Sequence, residues 1–120
     1  MRSFDRGAIR LQSGRMVTFA DIAALAGRIA DEYRPARIIL FGSHAAGCAR
    51  RDSDVDLLVL MPNPKGSFQT ALDILNRLEP RFGVDLVVRS PEDAELRYRF
   101  GDPLIREAFD RGRVLYEAAA

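Results

Sequence analysis

A chain of 120 residues, 48% of them hydrophobic, is long enough for one small domain with a single core. Its 18 basic and 17 acidic residues leave a net charge of +1, which argues against a broad nucleic-acid-binding surface. One cysteine excludes an internal disulfide and fits a reducing compartment, and no apolar run approaches the roughly 20 residues that span a membrane. We therefore expect a cytoplasmic protein without a membrane-spanning segment.

The chain divides into an irregular start, a periodic middle and a short tail. Residues 1–17 show no helical or strand period and carry several arginines, so we expect an arm that is either mobile or in contact with a partner. Residues 18–117 contain all the periodic segments and predict one domain, and residues 118–120 form an alanine tail.

An amphipathic helix and a buried strand open the periodic part. Thr18 predicts a helix N-cap with Asp21 as its capping-box partner, and apolar residues at three- and four-residue spacing continue to Tyr33. Pro35 ends this helix, and the run RIILF over Arg37–Phe41 predicts a buried strand.

A glycine-containing loop and a pair of acids follow this strand. Gly42 lets the backbone approach a ligand closely, and Ser43 adds a hydroxyl, so the turn predicts a phosphate-binding site. Asp54 and Asp56 stand at the start of the next strand, 55–61, and their spacing of two directs both side chains to one side. Two adjacent carboxylates repel each other, which a divalent cation such as Mg²⁺ relieves.

Most of the polar side chains in this loop have two possible roles. Ser53 can bond a local backbone group or the nucleotide, and His44 is either a surface residue or a phosphate contact. Arg50 and Arg51 are either solvated or neutralise phosphate charge, and Cys48 is expected to fill apolar space.

The second half of the chain supplies a third acid. Ser67 is expected to cap a helix over 68–78, and the strand 83–88 then carries Asp85 near its start. Three carboxylates on adjacent strands suit nucleotidyl transfer assisted by two metal ions, about 3.5–4 Å apart. The apolar face expected for this helix consists of Phe68, Leu72, Ile74, Leu75 and Leu78.

Two short helices and a last strand complete the chain. Ser90-Pro91 and Asp102-Pro103 are helix starts, for helices to about Tyr98 and Asp110, and 113–117 predicts a strand. The fold class is therefore α/β, a small mixed sheet of three to four strands with helices mainly on one face. We expect the acid-bearing strand ends to face an open groove.

The combined motif resembles a known superfamily. Gly42-Ser43, ten intervening residues, Asp54-x-Asp56 and then Asp85 in a Val-Asp-Leu strand is similar to the polymerase-beta-type nucleotidyltransferases. The resemblance covers roughly residues 19–117, and the small size is typical of the minimal nucleotidyltransferase (MNT) branch, found as the antitoxin of HEPN/MNT toxin–antitoxin pairs. His44 departs from the arginine that follows Gly-Ser in many members.

The resemblance implies a function and its site. Asp54, Asp56 and Asp85 are expected to be catalytic and to bind Mg²⁺, two ions by family analogy, while Gly42, Ser43 and Ser53 are expected to contact the nucleotide. The implied reaction is transfer of AMP from ATP to a tyrosine hydroxyl of a partner HEPN toxin, in a homo- or hetero-oligomer. Two alternatives stay open: a small-molecule transferase of the aminoglycoside type, and an antitoxin that acts by binding alone.

Overall fold

Residues 16–119 are described by a computed structural model, and they form a four-stranded sheet with five helices. The strands are β1 (Arg37–Phe41), β2 (Val55–Leu60), β3 (Val84–Arg89) and β4 (Arg113–Glu117). The helices are α1 (Phe19–Tyr33), α2 (Ser43–Ala46), α3 (Ser67–Leu78), α4 (Pro91–Arg99) and α5 (Pro103–Arg111). The predicted α/β fold with a small mixed sheet is confirmed.

The sheet has the strand order β3-β2-β1-β4. β1 pairs antiparallel with both β2 and β4, whereas β2 and β3 run parallel. A parallel pair needs a crossover connection, and α3 supplies it between β2 and β3. The parallel pairing brings the starts of β2 and β3 to the same edge, and this edge carries the predicted acids.

The central strands β1 and β2 are buried on both faces because two separate helix layers cover them. On one face, here called the closed face, α1 and α3 pack on Ile38, Leu57 and Val59, among others. On the opposite face, here called the acid face, α4 and α5 pack on Ile39, Leu58 and their neighbours. The two longer helices thus share one face, and α4 with α5 forms a second layer that the sequence pattern did not indicate.

The predicted helix starts account for three of the helix positions. The Thr18 hydroxyl accepts from the Asp21 N–H at 3.1 Å, and the Asp21 carboxylate accepts from the Thr18 N–H at 2.9 Å, which completes the capping box of α1. Ser90 accepts from the Asp93 N–H at the start of α4. Asp102 accepts from two N–H groups in the first turn of α5. These caps fix where the helices begin, as the sequence indicated.

The start and the apolar face of α3 differ from the prediction. Gly66 is the N-cap, no side chain caps this end, and Ser67 is already helical. Phe68 and Leu72 are 79% and 39% exposed, so their assignment to the packed face was wrong. Ile74 and Leu78 define the buried stripe, and at 3.6 residues per turn Phe68 and Leu72 lie roughly a third of a turn away from it.

Two predictions concern the outer parts of the chain. The arm predicted over residues 1–17 lies, up to residue 15, outside the described residues. No helix within residues 16–119 combines the length and apolar character that crossing a membrane requires.

Candidate active site

The register of β2 and β3 places two of the predicted acids side by side. Asp56 pairs with Asp85 across the parallel strands, and Val55 pairs with Val84. Side chains alternate between faces along a strand, and Leu57 lies on the closed face, so Asp56 and Asp85 lie on the acid face. Asp54 stands two residues before Asp56, just ahead of β2. The three acids therefore share one edge of the acid face.

Two glycines lie directly against two of these carboxylates. A Cβ atom built on Gly42 would overlap Oδ2 of Asp56 and lie 3.0 Å from its Cγ. A Cβ atom on Gly83 would overlap Oδ1 of Asp54 and lie 3.1 Å from its Cγ. Gly42 also has a φ of +75°, a left-handed conformation that side chains disfavour. Gly42 thus meets both the backbone and the space requirement at the turn.

The carboxylates of Asp54 and Asp85 are close enough to Asp56 to disturb its protonation. Burial raises the pKa of Asp56, and the neighbouring charges of Asp85 and Asp54 raise this pKa further. Asp56 is half-buried, whereas Asp54 and Asp85 are exposed. The site is therefore a cluster of repelling negative charges that remains open to solvent on one side.

The phosphate-binding turn predicted at Gly42-Ser43 is the start of a short helix. Ser43 is the first residue of α2, and the first turn of a helix leaves N–H groups without intrahelical partners. His44, also in α2, is half-buried, and its Nε2 lies 3.2 Å from the Ser53 carbonyl oxygen. This contact joins the turn to the residue that precedes Asp54. His44 thus contacts the loop backbone through the Ser53 carbonyl oxygen.

Ser53 makes the local bond that was one of its two expected roles. Its hydroxyl accepts from the Arg50 N–H at 2.8 Å, and this bond closes the loop ahead of the acids. Arg50 and Arg51 are exposed. Cys48 is exposed as well, so its predicted role as an apolar filler was wrong.

A fourth acid near the site was missed by the sequence analysis. Glu107 on α5 also raises the pKa of Asp56, after burial, Asp85 and Asp54, while the nearby His44 lowers it. Neighbouring residues of α5, Ile105 and Ala108, pack against the sheet. Glu107 is exposed in an ordinary amphipathic pattern, and only the placement of α5 on the acid face brings it near Asp56. No motif in the sequence signals that placement.

The donor set fits a hard divalent cation in chemical type. Carboxylate oxygens are the ligands that Mg²⁺ prefers, and the mutual repulsion at Asp56 is the electrostatic conflict that a cation removes. Within residues 16–119, however, no three His, Cys, Asp or Glu side chains are already gathered around a common point. The acids are thus placed on one edge without forming a closed coordination shell.

Comparison with known proteins decides the family. A family model described as "Nucleotidyltransferase domain" matches residues 22–115, which is most of the chain. The chain belongs to this family. It is a nucleotidyltransferase, and the matched segment contains Gly42, Ser43 and all three predicted acids.

Individual relatives agree with this assignment. The nucleotidyltransferase is 32% identical over 84 residues, 67% of its length, to a Methanocaldococcus jannaschii protein with a provisional name of protein adenylyltransferase, of which it covers 77%. Its fold is similar to a Sulfolobus solfataricus structure provisionally assigned as a nucleotidyltransferase, with a TM-score of 0.57 and 17% identity over 82% of this chain and 78% of that one. A mutant of the toxin–antitoxin complex MntA–HpeT matches with a TM-score of 0.50 and 21% identity, over 86% and 75% of the two chains. The two solved structures support the fold.

Proposed function

We propose that this nucleotidyltransferase transfers AMP from ATP to a tyrosine hydroxyl of a partner HEPN toxin, with Mg²⁺ as cofactor, and so acts as a cytoplasmic antitoxin. The observation that carries the proposal is the pairing of Asp56 with Asp85 beside Asp54 and the Gly42-Ser43 turn. The M. jannaschii relative, named for protein adenylyl transfer, supports the reaction. The toxin–antitoxin complex with a similar fold supports the partner class.

In this proposal the acids and the turn divide the work on ATP. Asp54, Asp56 and Asp85 would hold Mg²⁺, which when bound neutralises phosphate charge and the charge that develops on pyrophosphate. Gly42 and Ser43 contact the β- and γ-phosphates through backbone N–H groups and the serine hydroxyl, and Ser53 lies beside them. The acids alone would repel a triphosphate, so nucleotide binding is expected to need the cation.

The transfer step is an in-line displacement at the α-phosphorus. The tyrosine oxygen attacks this phosphorus and forms the new P–O bond, while the bond from the α-phosphorus to the α,β-bridging oxygen breaks and pyrophosphate leaves. The hydroxyl proton passes to the carboxylate of Asp85, which later releases it to water. Because Asp54 and Asp85 are exposed, an acceptor carried by another protein can reach the reacting phosphate.

The test follows label from ATP carrying ³²P at the α-phosphate. We would incubate the purified protein with Mg²⁺ and lysate of the native cells, and compare it with the Asp54→Asn/Asp56→Asn variant and with Asp52→Asn, a control at a neighbouring exposed acid. Label is expected in one protein band with the wild type and with Asp52→Asn, and to be absent with the double variant or with EDTA. ATP labelled at the γ-phosphate should leave that band unlabelled, because phosphoryl transfer is not the proposed reaction.

Other outcomes would redirect the proposal. Label in a small-molecule fraction would favour the aminoglycoside-type reaction. Mg²⁺-dependent ATP binding with no label above that of the double variant would favour an antitoxin that acts by binding alone, or a lysate without the acceptor. Transfer that persists in the double variant would contradict the roles given to Asp54 and Asp56.

A further inference from the structure

Asp54 lies at a point where the sheet gives its side chain little support. It precedes Val55, the first residue of β2, and its side chain is exposed. The Val55 N–H donates to the Gly83 carbonyl oxygen at 2.9 Å, so the backbones of the two segments are already joined here. This bond brings Gly83 directly beside the Asp54 carboxylate.

Because glycine has no side chain, Gly83 leaves the space that the Asp54 carboxylate occupies. A Cβ atom at residue 83 would overlap Oδ1 of Asp54 and would lie 3.1 Å from Cγ and 3.9 Å from Cβ of the same residue. These three nearest atoms all belong to Asp54. Gly83 is not among the glycines with positive φ, so its backbone conformation does not require glycine. Space for Asp54 is the remaining structural reason for glycine here.

Gly42 gives a useful contrast on the same edge. Its φ of +75° demands glycine independently of the contact with Asp56, so a substitution there would disturb backbone and carboxylate together. At Gly83 the atoms closest to an added methyl group belong to the carboxylate end of a flexible, exposed side chain, which can rotate away. The expected result is a folded protein with a displaced carboxylate.

We propose that Gly83 is a positioning residue that holds the Asp54 carboxylate in its working orientation by leaving room for it. The consequence for catalysis rests on the proposed function, whereas the contact between the two residues can be tested without it. Displacement of a reacting group by about 1 Å can reduce a rate about a hundredfold. We expect a loss of that size in adenylyl transfer by Gly83→Ala.

The first test measures the contact itself. In ¹³C spectra of the side-chain carboxyls, the Asp54 resonance is identified by its disappearance in Asp54→Asn. We expect this resonance to shift in Gly83→Ala and to stay in place in Gly27→Ala, a control because a Cβ on Gly27 meets nothing within 4 Å. An unshifted Asp54 resonance in Gly83→Ala would overturn the proposal.

The second test is a double-mutant cycle on thermal unfolding. If the methyl group at residue 83 acts through Asp54, the unfolding midpoint is lower, relative to the parent protein, in the wild-type background than in an Asp54→Ala background, where only the reduced entropy of the unfolded chain acts. An equal loss in both backgrounds would mean that Gly83 serves the backbone, which overturns the proposal. Should Gly83→Ala fail to fold, the Asp54→Ala/Gly83→Ala protein decides: folding supports the proposal and failure contradicts it.

The activity arm separates this proposal from the function on which it rests. If wild-type and Gly27→Ala proteins transfer AMP and Gly83→Ala loses about a hundredfold, both proposals stand. If the wild type transfers and Gly83→Ala matches it, the positioning role is wrong while the function stands. If no variant transfers AMP yet the Asp54 resonance shifts, the contact stands and the proposed function fails.

Discussion

The closed face and the acid face are formed by the same strands, but they differ in how far the helices cover them. On the closed face α1 and α3 cover an apolar layer in which Leu57 and Ile74 are fully buried. On the acid face α4 and α5 cover Leu58 and its neighbours but leave Asp54 and Asp85 exposed and Asp56 half-buried at the edge. Neighbouring residues of one strand thus contribute separately to the core and to the candidate site, because alternation sends them to opposite faces.

The largest expected effect lies on the closed face. Leu57→Ala leaves a cavity between the sheet and the helices, and we expect the free energy of unfolding to fall by about 2–5 kcal/mol. Urea denaturation measures this loss. Leu72→Ala, on the exposed side of α3, should change it by only about 0.5 kcal/mol. Adenylyl transfer per folded molecule should stay unchanged in Leu57→Ala, and a matching loss of transfer would show that the two faces are not separate.

An intermediate effect is expected at the contact between α2 and the acid-bearing loop. His44→Ala removes the contact with the Ser53 carbonyl, which we expect to cost about 1 kcal/mol of stability and about tenfold in transfer rate. His44→Gln, whose amide can donate to the same carbonyl, is the matched control and should recover most of the rate. Equal rates for the wild type and His44→Ala would mean that this contact does not hold the loop in its working position.

The smallest effect concerns stability at the acid edge and depends on pH. The pKa of Asp56 is raised above its ordinary value of 3.8, first by burial and then by Asp85 and Asp54. A raised carboxyl pKa means that the folded state binds this proton more tightly than the unfolded chain. The tighter protonation of Asp56 contributes fully to the stability of the folded state below pH 3.8, and this contribution is lost as the pH rises through the folded-state pKa.

Asp56→Asn removes this titratable group, and so it tests whether the acid face lowers stability as the pH rises. In buffer with EDTA, the variant should gain stability relative to the wild type as the pH rises from about 3 to 7, although it loses activity. Urea denaturation at several pH values measures the difference. A difference that stays constant over this range would contradict the assigned pKa direction.

Local signals in the sequence predicted much of the fold and part of the site. The caps at Thr18, Ser90 and Asp102 depend on side chains that bond their own helix, so they were found without knowledge of the rest. The spacing of Asp54 and Asp56 also follows from the strand period alone. In α3, by contrast, Phe68 and Leu72 are apolar residues outside the buried stripe, and composition gave no sign of their exposure.

The sequence by itself determined where α1, α4 and α5 begin, which runs form strands and which residue types could carry nucleotidyl transfer, because these depend on interactions between near neighbours. Only the tertiary structure decided that Asp56 stands beside Asp85, that Gly83 makes room for Asp54, and that Glu107 approaches from α5. The physical reason is that strand order and the face on which a helix packs are set by contacts between distant segments. Those contacts depend on the space between side chains, and at residue 83 a single added methyl group would overlap the Asp54 carboxylate.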